Sequence, residues 1–254
     1  MNQSPSRTRR IIFVAAPGTE ILDLVGPLQV FARASEIFVR QNPGASPIYS
    51  IEVVTTSPHR SFITNCGVRI MAHKTFRELR GNIDTLLVAG GSAIENDEIG
   101  AEVIRWLKTI AGRIRRIGSV CTGAMLLARA GLLDGRRATT HWNWCEVLIR
   151  RAPRAHVDPD PIFVRDKNVY TSAGVTAGMD LALALVEEDH GSRLALQVAR
   201  KGPRLLADED GTNTLGAARD QHESQRGVTD TEVDLCVHVG QGTRRRGSRH
   251  SDTC

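Results

Sequence analysis

Short apolar runs alternate along this chain with segments of helical periodicity, and this alternation constrains the fold more than any other feature. Each run is too short for a buried helix and is soon followed by turn-forming residues, which is typical of buried strands. The predicted strands cover residues 11–16, 48–55, 83–89 and 116–120. Because buried strands that alternate with helices form βαβ units, the sequence predicts an α/β fold. We expect a three-layer αβα sandwich around a mostly parallel sheet.

The remaining segments carry helical periodicity or turn signals. Apolar residues recur on one face of residues 97–111, as in an amphipathic helix. Pro27 lies early in the first helix, where a first turn tolerates its missing amide. The predicted helices cover residues 21–40, 97–111, 124–130, 142–151 and 175–201, with a break near 190–191. A late hairpin is predicted from residues 162–164 and 169–171.

Composition divides the 254-residue chain in two. Residues 1–201 carry 26 Lys and Arg against 19 Asp and Glu, a net charge of +7. Residues 202–254 carry a net charge of −2 and have no aromatic residue. We therefore expect a disordered N-terminus at residues 1–8, one folded domain over residues 9–201, and a tail of low order after it.

Composition also excludes several classes of protein. No run of 18 apolar residues occurs, so we expect no membrane span. The polar, basic first ten residues do not resemble a secretory signal, so we expect a cytoplasmic protein with reduced cysteines. The five cysteines show no metal-binding spacing, and we expect neither a metal nor an organic cofactor. A net charge of +5 spread along the chain does not by itself indicate nucleic-acid binding.

Cys121 is the strongest candidate for a functional residue because it lies where a buried strand meets a helix. In a parallel sheet, the active crevice lies beyond the carboxyl ends of the strands. A sharp strand-to-helix elbow there would expose the Cys121 side chain, and the helix N-terminus would favour its thiolate. The alternative is a buried structural cysteine, the usual environment of this residue type.

Residues after the first and third strands are expected at the same edge of the sheet. Asp23 could share a proton with Cys121, or it could cap the first helix. Gly90, Gly91 and Ser92 follow the third strand. Their backbone amides could point into a cleft as an oxyanion hole, or the glycines could form only a turn.

Two further features are open to more than one interpretation. His141 is a candidate base for Cys121, although the residue after the cysteine is Thr122, and a histidine beside Trp142 is typically a packed structural residue. The basic run at residues 244–250 is of a kind that binds nucleic acid. Without aromatic residues or a fold around it, a solvated tail is the better interpretation.

Five segments of the chain together resemble the ThiJ/PfpI superfamily. They are residues 21–31, 83–91, 119–124, 130–142 and 171–180. The resemblance extends over residues 9–201 and implies a flavodoxin-like, class I glutamine-amidotransferase-like fold in a homodimer. The peptidases of the superfamily carry His directly after the nucleophile, so Thr122 argues against peptidase activity.

Two branches of this superfamily are most similar to the chain. One is the amidase-like sensor domain of AraC-type transcriptional regulators, which residues 157–163 and 181–191 resemble most. The other is isocyanide hydratase, whose Cys-Thr elbow and early Asp match Cys121, Thr122 and Asp23. In that enzyme the thiolate attacks the isonitrile carbon, the Asp handles the proton, and water releases an N-substituted formamide.

Our preferred interpretation is a small-molecule-sensing domain related to AraC-type regulators but lacking their DNA-binding domain. In the alternative, a cofactor-free hydratase, Cys121 is the nucleophile and Asp23 moves the proton. Thr122 and the Gly91 amide then hold the developing charge.

The residues after Lys201 do not resemble a DNA-binding domain. They show no sustained apolar stripe, and they are too few for the paired helix-turn-helix domain of such a regulator, so we expect no DNA binding. Native disorder and a shifted reading frame both explain this tail, and translation of all frames of the gene distinguishes them.

Overall fold

The computed structural model describes residues 8–201 of the chain. The strands are β1 (Arg9–Ala15), β2 (Tyr49–Thr55), β3 (Ser61–Ile63), β4 (Arg69–Met71), β5 (Lys74–Thr75), β6 (Thr85–Val88), β7 (Arg116–Val120), β8 (Arg137–Ala138), β9 (His156–Val157), β10 (Phe163–Asp166) and β11 (Val169–Ser172). The α-helices are α1 (Ile21–Gln41), α2 (Ser92–Glu95), α3 (Ala101–Ala111), α4 (Gly123–Arg129), α5 (Cys145–Arg151), α6 (Thr176–His190) and α7 (Ser192–Lys201). A 3-10 turn at Trp142–Trp144 precedes α5.

A seven-stranded sheet forms the centre of the domain, in the order β10-β11-β7-β6-β1-β2-β5. All neighbours pair in parallel except β10 and β11, which form the predicted hairpin. Val88 of β6 pairs with Val14 of β1 and Ser119 of β7, and Val120 pairs with Ser172 of β11. Because these strands end at the same level, the residues that follow them meet at one edge of the sheet.

Alternate residues of the central strands pack on opposite faces of the sheet. In β1, Ile11 and Phe13 join a core with residues of α1 and α6, whereas Ile12 and Val14 join a core with residues of α3 and α4. Burial on both faces explains why the strand appears in the sequence as an unbroken apolar run. The three-layer, mostly parallel fold predicted from the sequence is confirmed.

The prediction for Pro27 is wrong, because this residue lies in the second turn of α1 and not in the first. Proline has no amide to donate to the carbonyl of Asp23, four residues earlier. The helix nevertheless continues against α6. A Cβ built on Gly178 of α6 would lie 3.1 Å from Pro27 Cγ, and one on Gly26 would lie 3.0 Å from Met179 Cγ. The two helices therefore pack closely at this point.

The helix predicted over residues 97–111 begins later, at Ala101. Asp97 has a positive φ of 58°, and Gly100 is extended with φ −65° and ψ 153°, so neither continues a helix. Ile99 is buried although it precedes the helix. Because Ile99 continues the apolar pattern one turn before Ala101, the sequence predicted a helix that begins too early.

A buried ionic network lies at the edge of the sheet opposite the carboxyl ends. The side chain of Asp189, near the end of α6, is fully buried, and its carboxylate accepts hydrogen bonds from Arg115, Arg116 and the Tyr49 hydroxyl at 2.8–3.1 Å. Arg116 begins β7, and its side chain is only 4% exposed. The network joins α6 to the start of the sheet, far along β7 from Cys121.

Glu52 of β2 makes the stability of the sheet depend on pH. Arg10 Nε donates to its Oε1 at 2.6 Å and Lys74 Nζ donates to its Oε2 at 2.8 Å. The Arg10 hydrogen bond and then that of Lys74 lower the pKa of Glu52 to about 2. The carboxylate therefore stabilises the fold above its ordinary pKa, and this contribution is lost as the pH falls towards 2.

We expect Glu52→Gln to lower the free energy of unfolding by about 1–2 kcal/mol at pH 7, after allowance for screening by solvent. The difference from wild type should shrink as the pH falls from about 4.5 towards 2. Urea denaturation at several pH values measures it. Glu146→Gln removes an exposed carboxylate and should have almost no effect. A deficit of equal size at pH 7 and pH 3 would contradict the argument.

Several predictions fall on parts of the chain that lie outside the described residues. They are the N-terminus up to residue 7, the tail over 202–254, its expected lack of a helix-turn-helix domain, and the basic run at 244–250. Thr8, the last residue of the predicted disordered N-terminus, donates its hydroxyl to the Pro47 carbonyl at 2.7 Å. Across residues 8–201, no helix has both the length and the apolar character needed to cross a membrane.

Candidate functional site

Cys121 forms the strand-to-helix elbow that its sequence context predicts. Its φ is +56°, a conformation that costs about 1–2 kcal/mol in a non-glycine residue. Hydrogen bonds on both sides hold the turn, because the Cys121 amide donates to Ser172 O at 3.0 Å and the Thr140 hydroxyl donates to Cys121 O at 2.8 Å. The Cys121 side chain is buried, with the residue only 8% exposed, rather than presented to solvent.

Asp23 lies in the first turn of α1 with its carboxylate directed at the elbow. Its Oδ1 accepts the Val175 amide at 2.7 Å, whereas its buried Oδ2 has no hydrogen-bond partner among residues 8–201. A Cβ on Gly90 would lie 2.8 Å from Asp23 Oδ2 and 2.7 Å from Thr122 Oγ1. Glycine at position 90 therefore leaves room between these two oxygens. Glu20, not Asp23, occupies the N-cap position, so the helix-cap alternative is wrong.

The thiol and the carboxyl group control each other's protonation. Burial raises the pKa of Asp23, although the Val175 amide and the Cys121 thiol oppose the rise. Burial and then the Asp23 charge raise the pKa of Cys121 well above its usual range. The Thr122 amide at the start of α4 opposes this rise in the pKa of Cys121, but it is outweighed. The raised pKa of Cys121 therefore contradicts the low-pKa thiolate that its sequence context predicted.

Gly174 closes the site on the other side of Cys121. It has a φ of +114°, and a Cβ there would lie 2.6 Å from Cys121 Cβ and 2.9 Å from Cys121 Sγ. The next residue, Val175, has a φ of +48°, which is an outlier for a β-branched residue. Because Asp23 binds the Val175 amide, the strained segment is tied to the same carboxylate that faces the thiol.

The Thr122 hydroxyl lies in the middle of a short chain of hydrogen bonds. The Gly91 amide donates to Thr122 Oγ1 at 3.0 Å, and Thr122 Oγ1 donates to Glu95 Oε1 at 3.1 Å. The Ser92 amide donates to Gly18 O at 3.2 Å. The Gly91 and Ser92 amides, which were predicted to form an oxyanion hole, therefore both donate to acceptors within the protein, whereas the Thr122 amide is directed at the Cys121 thiol.

Glu95 is the site residue that sequence reasoning missed. It ends the short helix α2, and its charge contributes to the raised pKa of Cys121. A signal was present in the sequence, because Ser92 is followed three residues later by Glu95. That spacing is typical of a helix start and would have placed Glu95 one turn beyond the third strand.

His141 does not pair with Cys121 in this structure. Its Nδ1 accepts the Asn143 amide at 3.4 Å, and its ring lies beside Trp142 with centroids 5.7 Å apart. The neighbouring Thr140, not His141, contacts the elbow through the Cys121 carbonyl. Within residues 8–201, no three His, Cys, Asp or Glu side chains are grouped to hold a metal ion.

The domain that carries this site matches a known protein family. Residues 9–188 match the DJ-1/PfpI family. The chain belongs to the DJ-1/PfpI family. The ThiJ/PfpI resemblance drawn from the sequence is thereby confirmed.

Two relatives and one solved structure relate this DJ-1/PfpI domain to proteins of different function. Isonitrile hydratase of Pseudomonas putida is 32% identical over 181 residues, which cover 70% of this chain and 71% of the enzyme. The HTH-type transcriptional regulator CdhR of Pseudomonas aeruginosa is 28% identical over 189 residues, which cover 74% of this chain and 53% of the regulator. A ThiJ/PfpI family protein from Pseudomonas syringae matches the fold with a TM-score of 0.68 and 26% identity, over 87% of this chain and 88% of that protein. The chain thus spans about half the length of the regulator.

Proposed function

We propose that this DJ-1/PfpI domain binds a small molecule beside Cys121 and transmits its presence through α6 and α7, as a sensing domain. The proposal rests on the different surroundings of the two carboxylate oxygens of Asp23. Oδ2 is buried beside the elbow without a partner in the described part of the chain, whereas Oδ1 holds the amide of Val175 at the start of α6. A ligand that binds Oδ2 acts on the carboxylate that anchors α6.

The strain at Val175 supports transmission through this segment. A β-branched residue with a φ of +48° has a backbone strain energy of about 1–3 kcal/mol. The surrounding contacts hold Val175 in this conformation. Weakening the Asp23 hydrogen bond would therefore release the first turn of α6. The similarity to the regulator CdhR also supports a sensing role. The proposal retains the homodimer and the cytoplasmic location expected from the sequence.

Hydrogen exchange after modification of Cys121 tests this coupling. Iodoacetamide adds a small amide group to the thiol and serves as a surrogate for a bound ligand. We expect amide exchange at residues 175–178 to rise about 10-fold or more, while exchange in α3 stays unchanged. Cys121→Ala treated in the same way controls for modification of the other cysteines. Unchanged exchange at residues 175–178 in protein modified at Cys121 would contradict the proposal.

A second candidate function, hydration of an isonitrile, is favoured by one observation. The Asp23 carboxyl lies beside the Cys121 thiol, and Thr122 follows Cys121, as in the Cys-Thr elbow with an early Asp. The thiol sulfur would bond to the terminal isonitrile carbon while Asp23 passes the thiol proton to that carbon, giving a thioimidate. Water then adds to the same carbon, the C–S bond breaks, and the thiol and an N-substituted formamide leave.

Turnover of tert-butyl isonitrile distinguishes the two candidates. Formation of N-tert-butylformamide by the wild-type protein, followed by NMR and abolished in Cys121→Ser, would establish the hydratase function. We expect no turnover above the Cys121→Ser background if the domain only senses. Asp23→Asn provides a second control, because it retains the Val175 hydrogen bond but cannot carry the proton.

The expected homodimer has a candidate surface on α1 and the β3–β4 hairpin. Leu22 and Val25 are exposed on α1, and Asn65 of the hairpin accepts the Ile21 amide beside them. We expect Leu22→Glu with Val25→Glu to shift the sedimentation coefficient from that of a dimer to that of a monomer. Ile149→Glu, which changes an equally exposed apolar residue on α5, should leave the dimer intact. Dimer formation by the double variant would contradict this assignment.

A further inference from the structure

We propose that Glu95 is a positioning residue for the Cys121 site, which holds Thr122 through its hydroxyl and thereby keeps the Thr122 amide directed at the Cys121 sulfur. This inference rests on the proposed small-molecule site and describes how the reactivity of its thiol is set. Glu95 acts through Thr122 and not by direct contact with the thiol.

Both ends of the short helix α2 bind the same oxygen atom of Thr122. The Gly91 amide, at the N-cap of α2, donates to Thr122 Oγ1 at 3.0 Å. Thr122 Oγ1 in turn donates at 3.1 Å to Oε1 of Glu95, the last residue of α2. The Glu95 amide donates to Gly91 O at 3.2 Å, which joins the two ends of the helix to each other. These contacts form a closed ring of hydrogen bonds that includes the Thr122 hydroxyl.

The direction of each hydrogen bond in this ring is fixed by the chemistry of its members. A carboxylate only accepts hydrogen bonds and an amide N–H only donates them, so the hydroxyl between them accepts from Gly91 and donates to Glu95. Thr122 is fully buried, so water does not compete for its hydroxyl. A charged acceptor makes the stronger hydrogen bond. Glu95 therefore determines where the Thr122 hydroxyl proton points.

The position of Thr122 matters because this residue lines the site next to the thiol. Its amide is directed at the Cys121 thiol. Gly90 lies against its other side, since a Cβ there would be 2.7 Å from Thr122 Oγ1 and 2.8 Å from Thr122 N. Cys121 has a φ of +56°, and a backbone in this region keeps its shape only where neighbouring contacts hold it. The contacts of the Thr122 hydroxyl are therefore expected to hold the amide on the sulfur.

Glu95→Gln and Glu95→Met separate this hydrogen bond from the charge of Glu95. Both substitutions remove the charge and have side chains of similar length, but only Gln retains an oxygen that accepts the Thr122 hydroxyl. The rate of Cys121 alkylation by iodoacetamide is measured as a function of pH, by mass spectrometry of the Cys121 peptide from the full-length protein. Because the Thr122 amide stabilises the thiolate, we expect the Gln variant to react about 5-fold faster than the Met variant, with its profile at lower pH.

Thr122→Val tests whether the effect passes through the hydroxyl. Valine has the shape of threonine without its hydroxyl, so Gln and Met at position 95 should give equal alkylation rates in this background. Glu98→Gln and Glu98→Met change a nearby exposed carboxylate and should not differ from each other. Equal rates for the two Glu95 variants when Thr122 is present, or a difference that persists undiminished in Thr122→Val, would overturn the inference.

Hydrogen exchange of the Gly91 amide provides a second measurement, which does not depend on access of a reagent to the thiol. The acceptor of this amide is Thr122 Oγ1. We expect the Gly91 amide to exchange about 5-fold faster in Glu95→Met than in Glu95→Gln. Equal exchange in the two variants would also overturn the inference. None of these outcomes decides the proposed sensing function, which is tested separately by exchange at residues 175–178 after modification of Cys121.

Discussion

Replacing Asp189 with alanine is expected to lower the free energy of unfolding by about 3–5 kcal/mol. The carboxylate is fully buried and receives hydrogen bonds from Arg115, Arg116 and Tyr49 at 2.8–3.1 Å. Its loss leaves the buried guanidinium of Arg116 with Glu188 as its one remaining carboxylate among the described residues. A charge removed from water without full compensation is far more costly than an exposed one.

Thermal and urea denaturation of Asp189→Ala measure this loss. Asp160→Ala removes an exposed carboxylate and should change the stability by less than about 0.5 kcal/mol. Because Arg116 begins β7 and Cys121 follows its end, the alkylation rate of Cys121 in the folded variant should match that of wild type. A loss below about 1 kcal/mol would show that the network contributes little, as exposed ion pairs do.

Gly174→Ala is expected to lower the free energy of unfolding by about 3–4 kcal/mol, through backbone strain and overpacking together. The new Cβ would lie 2.6 Å from Cys121 Cβ, closer than real Cβ atoms approach, at a φ of +114°. Neither atom is the flexible end of a side chain, so the backbone of the elbow must move. The change should therefore also alter the reactivity of Cys121.

Gly191→Ala is the matched control for this substitution. Gly191 has a φ of +84°, and nothing lies within 4 Å of a Cβ built there, so only the backbone term of about 1–2 kcal/mol applies. The difference between the two variants, measured by urea denaturation, isolates the contact with Cys121. In a Cys121→Gly background, Gly174→Ala should cost less than in wild type, and equal costs in the two backgrounds would contradict the contact.

The fold was predictable because its strands are buried on both faces. Residues 11–16 form an apolar run that ends at a turn, and the structure has a strand there. In a parallel sheet, the residues that follow the strands lie at the same edge. The sequence therefore predicted correctly that Cys121 and Asp23 are neighbours. The β3–β4 hairpin was not predicted, because its three-residue strands are too short for a periodic pattern.

The chemistry of the site was harder to predict than its position. Sequence context favoured a thiolate at Cys121, because a helix N-terminus follows it. The burial of the thiol and the approach of Asp23 from another element decide its protonation, and both depend on tertiary packing. The sequence also contained no indication that the Gly91 amide has an acceptor within the protein. In the structure, the hydroxyl of Thr122, 31 residues later, accepts its hydrogen bond.

The central claim is that Cys121 and Asp23 form one coupled site, and the pH dependence of Cys121 alkylation by iodoacetamide tests it most directly. The rate at the Cys121 peptide is followed by mass spectrometry between pH 5 and about 10, in wild type and in Asp23→Asn. Because burial and the Asp23 charge raise the pKa of Cys121, we expect the wild-type rate to be still rising at about pH 9. Asp23→Asn should move the profile to lower pH and accelerate alkylation at pH 7 by about 10-fold or more. A wild-type midpoint at or below pH 7, or a profile that Asp23→Asn leaves unchanged, would contradict the account.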